Sequence, residues 1–166
     1  MKTKTETYRQ DDTVMQGFLA FDETLPGKRP GVLVVHEWWG LNDFAKQKAE
    51  ELASMGYVAL ASDIYGDGRT TDDPEEAARL AGEMRGNPEL LRARARAALQ
   101  ALAGAPQADP QRLGAIGFCF GGTTVLELAY SGAGLAGAVS FHGGLPRTQP
   151  EDLKRLKAAV LVLHGA

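Results

Sequence analysis

Two kinds of apolar pattern alternate along the chain and divide it into elements. The first is a short unbroken run. Val32-Leu-Val-Val35, within Pro30 to His36, leaves no polar position to face water. That predicts a strand buried on both faces, and hence an interior strand of a parallel sheet. Tyr57 to Ala61, the stretch from Arg112 into Gly117, Leu135 to Phe141 and Ala158 to Leu163 read as further strands, the last again of the buried type. In the second pattern apolar residues recur at three and four positions. Asn42 caps a helix carrying Ala45, Ala49, Leu52 and Ala53, which Gly56 closes. Pro74, behind Asp72 and Asp73, opens a second helix with Ala77, Leu80, Ala81 and Met84 inward. A third, from Asn87-Pro88, carries Leu91, Ala95, Ala98, Leu99 and Leu102; its Arg92, Arg94 and Arg96 read as a solvated face. A fourth begins at Gly121 with Val125, Leu128 and Ala129 inward, and a short fifth spans Pro150 to Leu156. At the start, Thr7 to Gln10 and Val14 to Phe21, joined by a polar turn, predict an edge hairpin. Strand, helix and strand from Pro30 to Ala61 form a crossover unit, right-handed by the general rule. No repeat or linker interrupts the series, so residues 1–166 read as one α/β domain of roughly seven strands.

Composition narrows the function classes. Hydrophobic residues at 44% and charged residues at 23% belong to the ordinary globular range. A net charge of -3, with acids and bases mixed along the chain, leaves no footprint for nucleic acid. No apolar run approaches a membrane span, and the lysines near Met1 are followed by no apolar stretch of the signal-peptide kind. A cytoplasmic protein acting on a small molecule is therefore expected, with no nucleic-acid or membrane partner; nothing here fixes an oligomeric state. One cysteine cannot form an internal disulfide, and no Cys/His spacing suggests a metal site. Gly114 to Gly122 does not give Gly-x-Gly-x-x-Gly after the first strand, so no cofactor is expected.

The candidate chemistry lies where strands end, the usual place for ligands in open α/β sheets. Gly117-Phe-Cys119-Phe-Gly121-Gly122 puts the sole cysteine between an apolar strand and a helix, with glycines two residues to either side. A nucleophile on a tight strand-to-helix turn needs small neighbours at those positions, so this is the nucleophile-elbow pattern with sulfur in place of oxygen. The plain alternative for Cys119 is an inert buried hydrophobe; the flanking glycines and the helix N-terminus, whose partial charge favours a thiolate, argue for reactivity. Glu37, at the end of the first interior strand, is the candidate carboxylate beside the thiol, or else a residue that holds loop amides or an arginine. Oxyanion donors in this topology come from the N–H after the nucleophile, here Phe120, and from the loop after the early strand, here Trp38. Trp38 and Trp39 then wall the pocket or simply pack. His36 reads as scaffold for that loop, and His142 and His164, each ending a strand before a glycine, as loop supports.

Val34-Val-His-Glu-Trp-Trp-Gly-Leu-Asn42, Ala61-Ser-Asp-Ile-Tyr-Gly66, Gly117-Phe-Cys-Phe-Gly-Gly122 and Leu163-His-Gly165 together resemble the dienelactone hydrolase family of α/β-hydrolases, in family order. The resemblance implies an α/β-hydrolase-type three-layer sandwich, a mostly parallel sheet with helices on both faces. It implies hydrolysis of an ester or lactone ring through a cysteine nucleophile, here Cys119. It also implies a carboxylate that contacts the resting thiol and takes its proton, here Glu37, and oxyanion amides at Trp38 and Phe120. The family's triad Asp and His find no match up to residue 166, so they are expected beyond it, and this segment alone is expected to be inactive. No arginine matches the family's grip on a substrate carboxylate: Glu75 and Glu76 stand near the place, with Arg79 nearby. The competing expectation is a non-catalytic or redox-sensing α/β domain with a reactive thiol.

Overall fold

The structure is a computed structural model that describes residues 1–165. Seven strands form one sheet: β1 (Lys2–Gln10), β2 (Thr13–Phe21), β3 (Arg29–Val35), β4 (Val58–Ser62), β5 (Ala108–Phe118), β6 (Gly137–Phe141) and β7 (Ala159–Leu163), in the spatial order β1-β2-β4-β3-β5-β6-β7. The hairpin β1–β2 is antiparallel and β2 joins β4 antiparallel; β4, β3, β5, β6 and β7 are mutually parallel. The register aligns their carboxyl ends: Val35 lies opposite both Ser62 and Gly117, Gly117 opposite Ser140, and Ser140 opposite Val162. Whatever follows each of these residues emerges along one edge.

Alternation along β3 explains the three layers. Leu33 and Val35 point to one face, where they join Leu91, Ala95 and Leu102 of α3 (Pro88–Gly104) and Val125 and Leu128 of α4 (Phe120–Tyr130). Val34 points to the other, onto Ala45, Ala49 and Ala53 of α1 (Asp43–Ser54). Both faces of β3 are thus covered, as an unbroken apolar run requires. Caps follow the sequence: the Asn42 side chain accepts from the Ala45 N–H, and Asp73 accepts from Glu75 N–H at the start of α2 (Pro74–Gly86). No helix among the described residues is long and apolar enough to cross a membrane.

Two expectations need correction. β1 begins at Lys2, not Thr7, because its alternating Lys, Thr and Glu residues pair with β2 through the backbone and carry no apolar signal. Among the described residues Val160, Leu161, Val162 and Leu163 of β7 are 37–52% exposed. The other correction concerns the arginines of α3: Arg96 is exposed, as expected, whereas Arg92 and Arg94 are half-buried and bonded to other elements. Arg92 donates from Nε to Glu127 Oε2 of α4 (2.6 Å) and from Nη1 to Asp152 Oδ1 of α5 (Pro150–Arg155; 2.9 Å). Glu127 and Asp152 are both buried, so this triad clasps three helices, and the Arg92 hydrogen bond holds the Asp152 carboxyl below its usual range. Arg94 turns inward to the site.

Candidate active site

At the end of β5 the chain reverses into α4 through Cys119, whose φ of 54° lies in the left-handed region that non-glycine residues rarely occupy. Three close approaches impose it. A Cβ on Gly117 would sit 2.0 Å from the Gly121 carbonyl oxygen, one on Gly121 would sit 2.2 Å from the Val35 oxygen, and one on Gly122 would meet Ser140 Oγ at 2.6 Å. Glycine is therefore required at all three by backbone packing. The Cys119 N–H donates to Phe141 O (2.9 Å), tying the elbow to β6. Its thiol, half-buried, makes no capping bond to α4 and stands at the positive end of that helix. The Phe120 N–H belongs to the first turn, where no intrahelical carbonyl is available to it.

The close contact of Gly121 with the Val35 and His36 carbonyls sets the segment carrying Glu37 and Trp38 against the elbow. His36 is fully buried and fixes that segment: its Nε2 accepts from the Ile64 N–H (3.2 Å) and its Nδ1 lies 2.5 Å from the Glu37 carbonyl, an arrangement satisfied by a neutral ring with the proton on Nδ1. Burial pushes its pKa below the ordinary histidine value, in keeping with that tautomer. The Tyr65 hydroxyl donates to Trp38 O (2.8 Å), and burial raises that phenol's pKa, so it stays a donor. Trp38 and Trp39 pack edge to face at 4.9 Å, while the buried Phe120 ring lies 5.9 Å from His36 and 5.5 Å from Tyr65. Glu37 is half-buried, and its Oε1 lies 3.9 Å from Nε2 of the exposed His142. Cys119, Glu37, Trp38 and Phe120 thus gather at one edge of the sheet, with His142 beside them and His164 exposed after β7.

A second tier supports the loop after β4. Asp63, fully buried, accepts N–H bonds from Gln16 (3.0 Å), Gly66 (2.8 Å) and Gly68 (2.9 Å). The Tyr8 hydroxyl bonds the Asp63 backbone, and Arg94 Nη1 donates to the carbonyls of Ile64 (2.9 Å) and Tyr65 (2.7 Å). The path from α3 to Trp38 is therefore continuous: Arg94, the Ile64-Tyr65 backbone, His36 and Tyr65, then Glu37 and Trp38. Sequence reasoning missed Arg94, although the signal was present: residue 94 stands three after Leu91 and four before Ala98, on the inward stripe. Tyr8 gave no such signal. A cavity of about 370 Å³ opens one helical turn along from the elbow, between Arg85, Leu91, Thr123, Glu127, Leu145 and Arg147. Arg85 lies over the Phe120 ring, 5.6 Å from its centre.

A mostly parallel sheet flanked by helices, with a glycine-bracketed residue of positive φ between a central strand and its helix, is the α/β-hydrolase fold. The family model described as the dienelactone hydrolase family matches residues 15–166, and the chain belongs to that family. It is 49% identical to m3DLH, superposing with a TM-score of 0.96 over 99% of this chain and 69% of that one. It is 42% identical, again at TM-score 0.96 and over the same shares, to a dienelactone hydrolase-like promiscuous phosphotriesterase from metagenomic libraries. Protein usf of Aquifex pyrophilus is 32% identical over 81% of this chain, and the chain spans 59% of that relative's length.

Proposed function

We propose that the protein of which this chain forms the nucleophile-bearing part is a hydrolase of carboxylic esters or lactones working through an acyl-cysteine. Membership of a hydrolase family supports the reaction class. The observation that carries the specific reading is the strained Cys119 elbow, held by three obligatory glycines beside the Glu37 segment. In this reading the Cys119 S–H proton passes to Glu37 when substrate binds, and the thiolate adds to the carbonyl carbon. The backbone N–H groups of Trp38 and Phe120 hold the resulting oxyanion. Collapse expels the alkoxide, which takes up a proton, and leaves a thioester on Cys119. Water then adds to the thioester, releasing the acid and restoring the thiol. The Asp and His that assist these proton transfers in the family are proposed to lie outside the residues described here, and a small ester or lactone is the proposed partner.

The test is turnover of p-nitrophenyl acetate and of a dienelactone by the intact protein and its Cys119→Ser and Cys119→Ala variants. Both variants are expected to lose at least about a hundredfold in kcat/KM. Undiminished turnover in Cys119→Ala would refute the reading.

A further inference from the structure

The end of β6 is more tightly held than its exposure suggests. His142 has a φ of 44°, a second non-glycine residue in the left-handed region at the edge where Cys119 lies. Its N–H donates to Leu163 O (2.7 Å), and the residue before it accepts from the Cys119 N–H. Phe141 stacks on Phe118 with ring centres 4.8 Å apart and planes 10° off parallel. On the other side Gly143 is wedged in place, since a Cβ there would sit 2.6 Å from the Gly122 carbonyl carbon. The backbone of His142 is thereby fixed to the elbow, and its imidazole, 56% exposed, reaches over to Glu37 with Nε2 3.9 Å from Oε1.

A carboxylate beside a thiol opposes thiolate formation by like-charge repulsion, and a cation paired with that carboxylate relieves the opposition. The other charged or titratable groups facing this edge are differently engaged. His36 is buried, with both ring nitrogens bonded, and Tyr65 is held protonated by burial while its hydroxyl donates to Trp38. Arg85 lies over Phe120 and is permanently charged, and His164 is the other exposed imidazole, at the end of β7. We propose that His142 is a positioning residue for Glu37: as an imidazolium it pairs with the Glu37 carboxylate and compensates the charge that Cys119 would otherwise face. The inference rests on the reading of Cys119 and Glu37 as partners. Its consequence is a reactivity of Cys119 that is raised on the acid side of the histidine range relative to a protein lacking the imidazole.

Alkylation by iodoacetamide is read at Cys119 itself, by digesting the protein and following the peptide that carries it by mass spectrometry, so that a cysteine elsewhere in the intact protein does not enter the readout. Rates are measured from about pH 5.5 to about pH 9 for the protein and its His142→Asn, Glu37→Gln, double and His164→Asn variants. Asparagine tolerates the left-handed backbone, so the fold is expected to survive, and circular dichroism checks it. At about pH 6, His142→Asn should react roughly threefold more slowly than the unmodified protein, with the curves converging above about pH 8. Glu37→Gln should react faster, and adding His142→Asn to it should change nothing further. His164→Asn should follow the unmodified protein. Coincident curves for the unmodified and His142→Asn proteins, with Glu37→Gln displaced, would overturn the inference and leave the Cys119–Glu37 pairing standing. Equal slowing by His142→Asn with and without Glu37 would also overturn it, since the imidazole would then act on the thiol directly. A Glu37→Gln curve that coincides with the unmodified one would remove the pairing itself.

Discussion

The two flanks of the elbow are held by different means. On the β3–β4 side, His36, Asp63, Tyr65 and Arg94 form a buried hydrogen-bonded lattice around the loops that carry Glu37 and Trp38. On the β6 side the supports are backbone bonds and close packing rather than buried polar side chains: the Cys119 N–H on Phe141 O, the His142 N–H on Leu163 O, Gly143 wedged against Gly122, and the Thr123 hydroxyl on Gly144 O (2.8 Å). The difference separates two tasks. Under the proposed function the Trp38 N–H must be preorganised to hold an oxyanion, and a buried lattice of satisfied polar groups would provide that. His142, on the proposed pairing with Glu37, is held by its backbone while its imidazole stays exposed.

Substitutions along this divide should differ in size. The largest effect is expected at Gly117→Ala, where the new Cβ meets a backbone oxygen at 2.0 Å; a loss of more than about 4 kcal/mol in urea unfolding is expected, against less than about 0.5 for Gly134→Ala, which has open space around it. Next comes Arg92→Met, which strands Glu127 and Asp152 as buried carboxylates and should cost about 3 kcal/mol. The same triad gives a pH dependence. Asp152 has a folded pKa below its unfolded value, so its contribution is present above about pH 4 and fades as pH falls through the folded value, a loss that Arg92→Met should show to a smaller extent. Arg94→Leu removes the donor to the Ile64 and Tyr65 carbonyls and should cost about 2 kcal/mol, with a fall in kcat larger than any rise in KM because the oxyanion loop loosens.

Much of this was legible in the letters because it depends on local pattern. Val32 to Val35 had to be an interior strand, and glycines at 117, 121 and 122 had to admit close backbone approach. The sulfur position and the gathering of Glu37, Trp38 and Phe120 at one edge follow from strand ends in register, which periodicity can supply. What escaped depended on partners distant in sequence. Arg92 and Arg94 resemble surface arginines until Glu127, Asp152 and two loop carbonyls are brought to them, 29 to 60 residues away. His142 reads as a loop support because nothing in its neighbourhood along the chain discloses the nearby Glu37.

The central claim is that Cys119 attacks the acyl carbon. The protein is mixed with p-nitrophenyl acetate, quenched in acid within the first turnover and digested, and the peptide bearing the acetyl group is identified by mass spectrometry. The account predicts one equivalent of p-nitrophenol released in step with a single acetyl group on Cys119, and neither in Cys119→Ala. Release of p-nitrophenol with Cys119 unmodified throughout, or acetyl transfer that persists in Cys119→Ala, would contradict it.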